Sequence, residues 1–306
     1  MLGLLLFCML GPGLELNLKA QEQAFFGQHT YNRMNYNPAF AGDIAIPGIT
    51  LFSRQQWMSW EGAPSANMLM VHTKMKDQNA GLGVSMGYDR MGPVQRTEFS
   101  GMYSYRIKIS EESDLRFGIQ AEIRLLQIKL VQLELVDQGD LLFAEDPGLK
   151  PQANVGFGAV YNEGEYSFYI SIPRILNSAL SPNEEETSPL SKFGRLFYMG
   201  ATSSYDLNPE LVLEPSILLA LSEGRTPFLE LSGLLYYQDL VGVGLLYRLN
   251  QTLGAMVRYQ HQDKMVFGYA YDISLGKLRN NVGTHELFFG FNFAFNKAKT
   301  VSPRRF

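Results

Sequence analysis

The sequence predicts an all-β fold: a transmembrane outer-membrane β-barrel of about fourteen antiparallel strands. Its composition, a recurring period-two alternation and the sorting of its connection lengths lead there. Charged residues make up 18% of the 306 positions, against roughly 25% in an average soluble chain. Tyr 16, Phe 20 and Gly 29 stand against Trp 2. Aromatics and glycine in place of charge exclude a disordered chain. The absence of a glycine period or a Leu/Glu/Lys-rich body excludes collagen-like and coiled-coil folds. A formal net charge of −4 argues against a nucleic-acid binder.

In chain order, residues 1–20 read as a signal peptide. The run MLGLLLFCML is long enough for a leader core and too short to span a bilayer as a helix. Ala20 marks a cleavage point before Gln21, although no base precedes the run and Leu18 is a poor small residue. Removing the leader removes Cys8, the single cysteine, and with it any disulfide or thiolate metal site. Residues 21–47 are polar and turn-rich, and Asn37-Pro38 favours a fixed turn. They are predicted to lie in the periplasm or to fold into the lumen of the barrel, which takes residues 48–297.

Period two then takes over. Strands are predicted at 48–57, 65–75, 80–89, 95–109, 114–130, 152–162, 165–173, 193–206, 210–222, 226–237, 240–249, 252–261, 264–276 and 284–297. In the third, Leu82, Val84, Met86 and Tyr88 alternate with Gly81, Gly83, Ser85 and Gly87. In the sixth, Val155, Phe157, Ala159 and Tyr161 alternate with Asn154, Gly156 and Gly158. In the eleventh, Val241, Val243, Leu245, Tyr247 and Leu249 alternate with Gly242, Gly244, Arg248 and Asn250. In the last, Leu287, Phe289, Phe291, Phe293 and Phe295 oppose Gly290, Asn292, Ala294 and Asn296. A soluble sandwich would carry Lys, Glu and Thr on its outer face. Glycine in a strand interior costs stability unless something approaches closely. A crowded, closed lumen supplies that reason. Tyrosines toward strand ends, such as Tyr88 and Tyr247, suit the interfacial girdle of a membrane barrel.

The three longest connections follow the fifth, seventh and thirteenth strands, all odd, while those after even strands are tight; those after the ninth and eleventh are short as well, so the sorting is partial. Long outer loops and short periplasmic turns have this parity. The loop at 132–151 holds Glu134, Asp137, Asp140, Glu145 and Asp146, which are candidate partner-binding residues. Their spacing matches no EF-hand. The tail 298–306 carries Lys299, Arg304 and Arg305 without an acid.

Chemistry is sparse. GxSxG, Walker A, HExxH and CxxC motifs are absent, and His29, His72, His261 and His285 are scattered. No catalytic residue, metal site or cofactor is expected. Arg54, Glu98, Arg106, Lys108, Arg116, Glu122, Arg124, Glu230, Arg258 and Glu286 fall on the small or polar face. Arg or Lys facing mid-bilayer lipid costs roughly 2–4 kcal/mol, so these side chains belong in the lumen, paired across it.

An ordered series of motifs runs through this pattern. Asn37-Pro38-Ala39-Phe40-Ala41-Gly42 comes first, then Arg54, Gln56 and Trp57, then Gly62-Ala63-Pro64. Gly81-Leu82-Gly83, Asp89 with Gly92, Tyr103-Ser104-Tyr105-Arg106, and Leu115 with Gly118 follow. Gly283-Thr284-His285-Glu286-Leu287 precedes the last strand. In this series the chain resembles the PorP/SprF family of the type IX secretion and gliding systems of Bacteroidota. The resemblance implies a non-enzymatic barrel in a Gram-negative outer membrane. Its implied partners are type IX secretion components, outer-membrane lipid, and a cargo protein that it helps to secrete or hold at the cell surface. The alternative is a diffusion porin or small-solute channel; a barrel enzyme is disfavoured by the missing catalytic set.

Overall fold

The computed structural model describes residues 29–43, 48–75, 79–131, 146, 148–176, 195–222, 227–249, 251–261, 264–275 and 282–292. The predicted leader, the tail 298–306, Phe293, Phe295 and most of the two longest loops lie outside them.

The chain enters through a single helical turn, α1 (Arg33–Tyr36), and a 3-10 turn over Pro38–Phe40. The first eight strands are β1 (Ile49–Gln55), β2 (Ser65–Lys74), β3 (Ala80–Met91), β4 (Val94–Lys108), β5 (Ser113–Ile128), β6 (Lys150–Glu163), β7 (Tyr166–Arg174) and β8 (Leu196–Ser203). Then come β9 (Tyr205–Asn208), β10 (Leu211–Ser222), β11 (Phe228–Tyr237), β12 (Val241–Arg248), β13 (Thr252–His261), β14 (Met265–Ser274) and β15 (Thr284–Phe291).

Every strand pairs antiparallel with its chain neighbours, save that β8 and β9 do not pair with each other, and β1 pairs with β15, which closes the sheet on itself. β8 and β9 both pair with β10 and are two lengths of one strand, interrupted at Ser204. The barrel therefore has fourteen staves. A membrane stave needs ≈ 9–11 residues; β4 and β5, at 15 and 16, extend beyond that. No described helix is long and apolar enough to cross a membrane.

Period two sets the two faces. Along β13, Thr252, Gly254, Met256, Arg258 and Gln260 are buried, while Leu253, Ala255, Val257, Tyr259 and His261 are exposed. The exposed set meets lipid; the buried set faces the lumen. The predicted inner face needs one correction. It also carries large apolar groups, including Phe52, Met70, Tyr169, Leu234, Leu246 and Phe288. They are buried because the N-terminal segment packs among them and because, around Leu234 and Leu246, they pack on one another. A water-filled channel would expose them. The sorting of loop lengths is partial in the structure as well: β3 and β4 join through Gly92-Pro93 alone.

Candidate functional site

The site is the filled lumen. Residues 29–43 pack against the inner faces of the strands, and nearly all of them are buried. Asn37 organises the turn. Its Oδ1 accepts from the Ala39 amide at 2.9 Å, and its Nδ2 donates to the carbonyls of Ala159 and Ile170, both at 3.1 Å. One side chain thus caps its own turn and ties it to β6 and β7. Pro38, at the first position of the 3-10 turn, has φ preset and no N–H to satisfy. Gly42 takes φ +73°, where a side chain would be strained.

The inner-face glycines are where this segment touches the wall. A methyl group at Gly118 would overlap the Ala39 amide nitrogen. One at Gly158 would overlap the Asn37 amide oxygen, and one at Gly81 the Ala41 carbonyl. The small face predicted from strand alternation is therefore a mould for the Asn37–Gly42 motif. Ser104 Oγ donates to the Ala41 carbonyl at 2.6 Å, and Ser171 Oγ to the Tyr36 carbonyl at 2.5 Å.

Polar anchors fix the rest. His29 Nδ1 lies 2.8 Å from Glu230 Oε1, and Arg248 Nη2 lies 2.6 Å from Glu230 Oε2. The Arg258 guanidinium sits 3.3 Å from the centre of the Tyr31 ring, a desolvated cation–π contact. Arg258 also donates to the Tyr236 hydroxyl at 3.0 Å and to Thr30 Oγ1 at 3.2 Å. At the other end of the segment, Asp43 Oδ2 meets Arg116 Nη1 at 3.4 Å. Burial raises the Tyr31 and Tyr36 phenols above their ordinary value, so each remains a neutral hydroxyl.

Of the charged residues predicted to face the lumen, all but Lys108 lie on the inner face and several pair there; Lys108 is exposed at the end of β4, in register with Asp114 beside a tight turn. Arg54 bridges Asp272 and Glu286, at 3.0 Å each. Glu98 receives Arg124 at 2.7 Å and Arg174 at 2.9 Å, and Arg174 Nε reaches Glu122 at 2.7 Å. Arg106 lies on the inner face in register with Arg116. His285, next to Glu286, points outward instead, with Nδ1 2.7 Å from the Tyr269 hydroxyl. Trp57 belongs to the rim: its indole donates to Ser274 Oγ at 3.0 Å. In the same loop Gln56 donates to the Pro64 carbonyl at 2.9 Å, and the Gly62 carbonyl accepts from the Gly92 amide at 2.8 Å. Among the acidic-loop candidates, Asp146 accepts from the Val131 amide at 2.9 Å, across the base of its loop. Glu134, Asp137, Asp140 and Glu145 are outside the described residues.

Sequence reasoning missed one constellation. Ser216 Oγ lies 3.3 Å from His29 Nε2, whose other nitrogen meets Glu230. The order is that of a Ser–His–acid relay. Ser216 Oγ is also 2.6 Å from Ser232 Oγ, and His29 and Ser216 are only 2% and 8% exposed. With the segment in place both side chains are buried, and the histidine belongs to the segment itself. The constellation acts as an anchor.

A family model described as "Type IX secretion system membrane protein PorP/SprF" matches residues 18–291. The chain belongs to the PorP/SprF family. It is an outer-membrane barrel of type IX secretion, in a secretion-system family rather than an enzyme family, and the family implies interaction with secretion-system components. The match spans both the Asn37–Gly42 motif and the strand glycines that receive it. Among solved structures, the Acinetobacter baumannii outer membrane protein Omp33 is similar at 6% identity and a TM-score of 0.49, over 81% of this chain and 98% of that one. The Ralstonia pickettii toluene transporter TbuX is similar at 8% identity and 0.46, over 85% and 92%. Outer membrane phospholipase A from Escherichia coli is similar at 9% identity and 0.40, over 83% and 96%. No curated protein matches the chain.

Proposed function

We propose that this PorP/SprF barrel is a closed, non-enzymatic platform of the type IX system that supports secretion or surface anchoring of a specific cargo protein. The observation that carries the reading is the N-terminal segment seated in the lumen on Asn37, His29 and Asp43. A diffusion porin needs an open polar path, and the apolar clusters around Met34 and Phe40 work against one. A platform needs a stiff body, which the filled lumen and its ion pairs supply. Cargo contact then falls to loops on the outer side. The loop bearing Glu134, Asp137, Asp140, Glu145 and Asp146 offers an acidic surface to a basic patch on the cargo, with salt-dependent capture.

The test replaces residues 132–145 with a short Gly/Ser turn. The barrel is expected to assemble, as read by heat-modifiable migration, while cargo moves from the cell fraction to the medium. Cargo retention unchanged in an assembled variant removes this loop as the contact. Steady porin-like conductance of the native protein in a planar bilayer would favour the channel instead.

A further inference from the structure

The outer wall at the seam where the barrel closes is layered. Three outward-facing registers cross β14, β15, β1, β2 and β3. One is wholly apolar: Phe267, Phe289, Leu51, Leu69 and Met86. The next, toward the loop side, is Tyr269, Leu287, Ser53, Asn67 and Tyr88. The third is Tyr271, His285, Gln55, Ser65 and Arg90. The wall passes from apolar through mixed to polar and cationic, the order of a lipid from acyl chain to headgroup.

Ser53 and Asn67 are direct cross-strand partners in the middle register. Tyr269 and Tyr88 flank that register at the level where tyrosines mark a membrane interface. Asn67 is exposed, and neither its side chain nor that of Ser53 bonds to another described residue. Across β11, β12, β13 and β14 a comparable outward register runs Leu231, Tyr247, Leu253 and Ile273, without such a pair. Polar groups turned to lipid without a partner are costly. The small Ser53 also leaves a groove of about 520 Å³, walled by Leu51, Leu69, Met86 and Leu287. That lies within the roughly 300–1,000 Å³ of small-molecule sites, and a concave slot fits a single chain better than the convex wall of another barrel. Arg90 is exposed on the rim register, and no contact occupies it among the described residues. The rim above is tied down: Met58 donates to the Gly283 carbonyl at 3.0 Å, and Gly92 to that of Gly62 at 2.8 Å.

We propose that this groove holds one phosphorylated lipid of the outer leaflet, of the lipid A class. An acyl chain fills the slot over Leu51 and Leu69. A hydroxyl or ester oxygen of that chain bonds Asn67 and Ser53. The phosphate meets the Arg90 guanidinium, whose planar fork suits phosphate oxygens. The leaflet follows from the side: the site lies toward the long loops, which face outward in such barrels. The site is independent of the cargo reading.

The test is native mass spectrometry of the barrel purified from outer membranes in mild detergent, then delipidated and titrated with lipid A, phosphatidylglycerol or phosphatidylcholine. One lipid A is expected to be retained, with phosphatidylcholine at least tenfold weaker. Arg90→Ala and Ser53→Phe should each lower lipid A retention tenfold or more while migrating as folded barrels. Asn67→Leu serves the same purpose should Ser53→Phe fail to assemble. Equal retention by the native protein and the folded variants overturns the proposal, as does equal binding of phosphatidylcholine. Phosphatidylglycerol bound in preference to lipid A overturns the assigned occupant. A photo-crosslinking residue at position 67 that captures a protein in cells, and no lipid, assigns the groove to a partner instead.

Discussion

Asn37 reads in the sequence as a turn former before a proline, and the structure gives it a second role as a tie between the lumenal segment and two strands. Leaving a buried hydrogen-bonding group unsatisfied costs about 1–3 kcal/mol. Asn37→Ala is therefore expected to destabilise the barrel by that order, read as a lower temperature for loss of the folded band, with assembly retained. Arg54 is a harsher case. It is the shared partner of Asp272 and Glu286, all three nearly inaccessible. Removing one member of a buried ion pair costs about 3–5 kcal/mol, because the remaining charge is left unpaired. Arg54→Met should lose that much, again read from the melting of the folded band. Arg54→Lys should recover only part, since an ammonium does not offer the same planar fork to two carboxylates. Gly118 fails differently. Gly118→Leu drives a side chain into the Ala39 backbone, so the wall is expected to assemble while the segment is displaced. Faster proteolysis between residues 29 and 43 would show it.

At the scale of the element, each strand answers two solvents. β12 presents Val243 and Leu245 to lipid and Leu246 and Arg248 to the lumen. Leu245→Arg places charge in the apolar band and is expected to cost roughly 2–4 kcal/mol, enough to lower the yield of heat-modifiable barrel. Leu245→Phe should be neutral. Strict alternation was legible wherever the inner partner was glycine, serine or a charge, as in β3 and β13. It was harder to read where both faces are apolar. Leu218 to Leu221, Leu234 to Tyr237 and Leu245-Leu246 are near-continuous apolar runs, the signature of a strand buried on both sides. Those runs were the available signal that the lumen holds a core.

For the whole molecule, the decisive feature is the chain's own N-terminal segment, seated in the lumen. Deleting residues 21–47 removes Asn37, the His29 anchor and Asp43 together. The deleted barrel is expected to conduct ions in a planar bilayer where the native protein does not. It should also melt earlier, because Glu230, Arg258 and Arg116 lose partners. Equal conductance of the two proteins would mean that the segment does not limit the pore.

The barrel, its strand count, the lumenal placement of most of the charges and the family motifs were all readable along the chain. These follow from period two and from the cost of charge in lipid, both local along a strand. Folding alone settles which charges pair, that Gly81, Gly118 and Gly158 receive the Asn37–Gly42 turn, and that His29 meets Ser216 and Glu230. The contacts of the N-terminal segment join residues from about forty to about two hundred positions apart. Alternation says only that a side chain points inward. What it meets there depends on how the strands are staggered around the closed barrel and on where the incoming segment is seated.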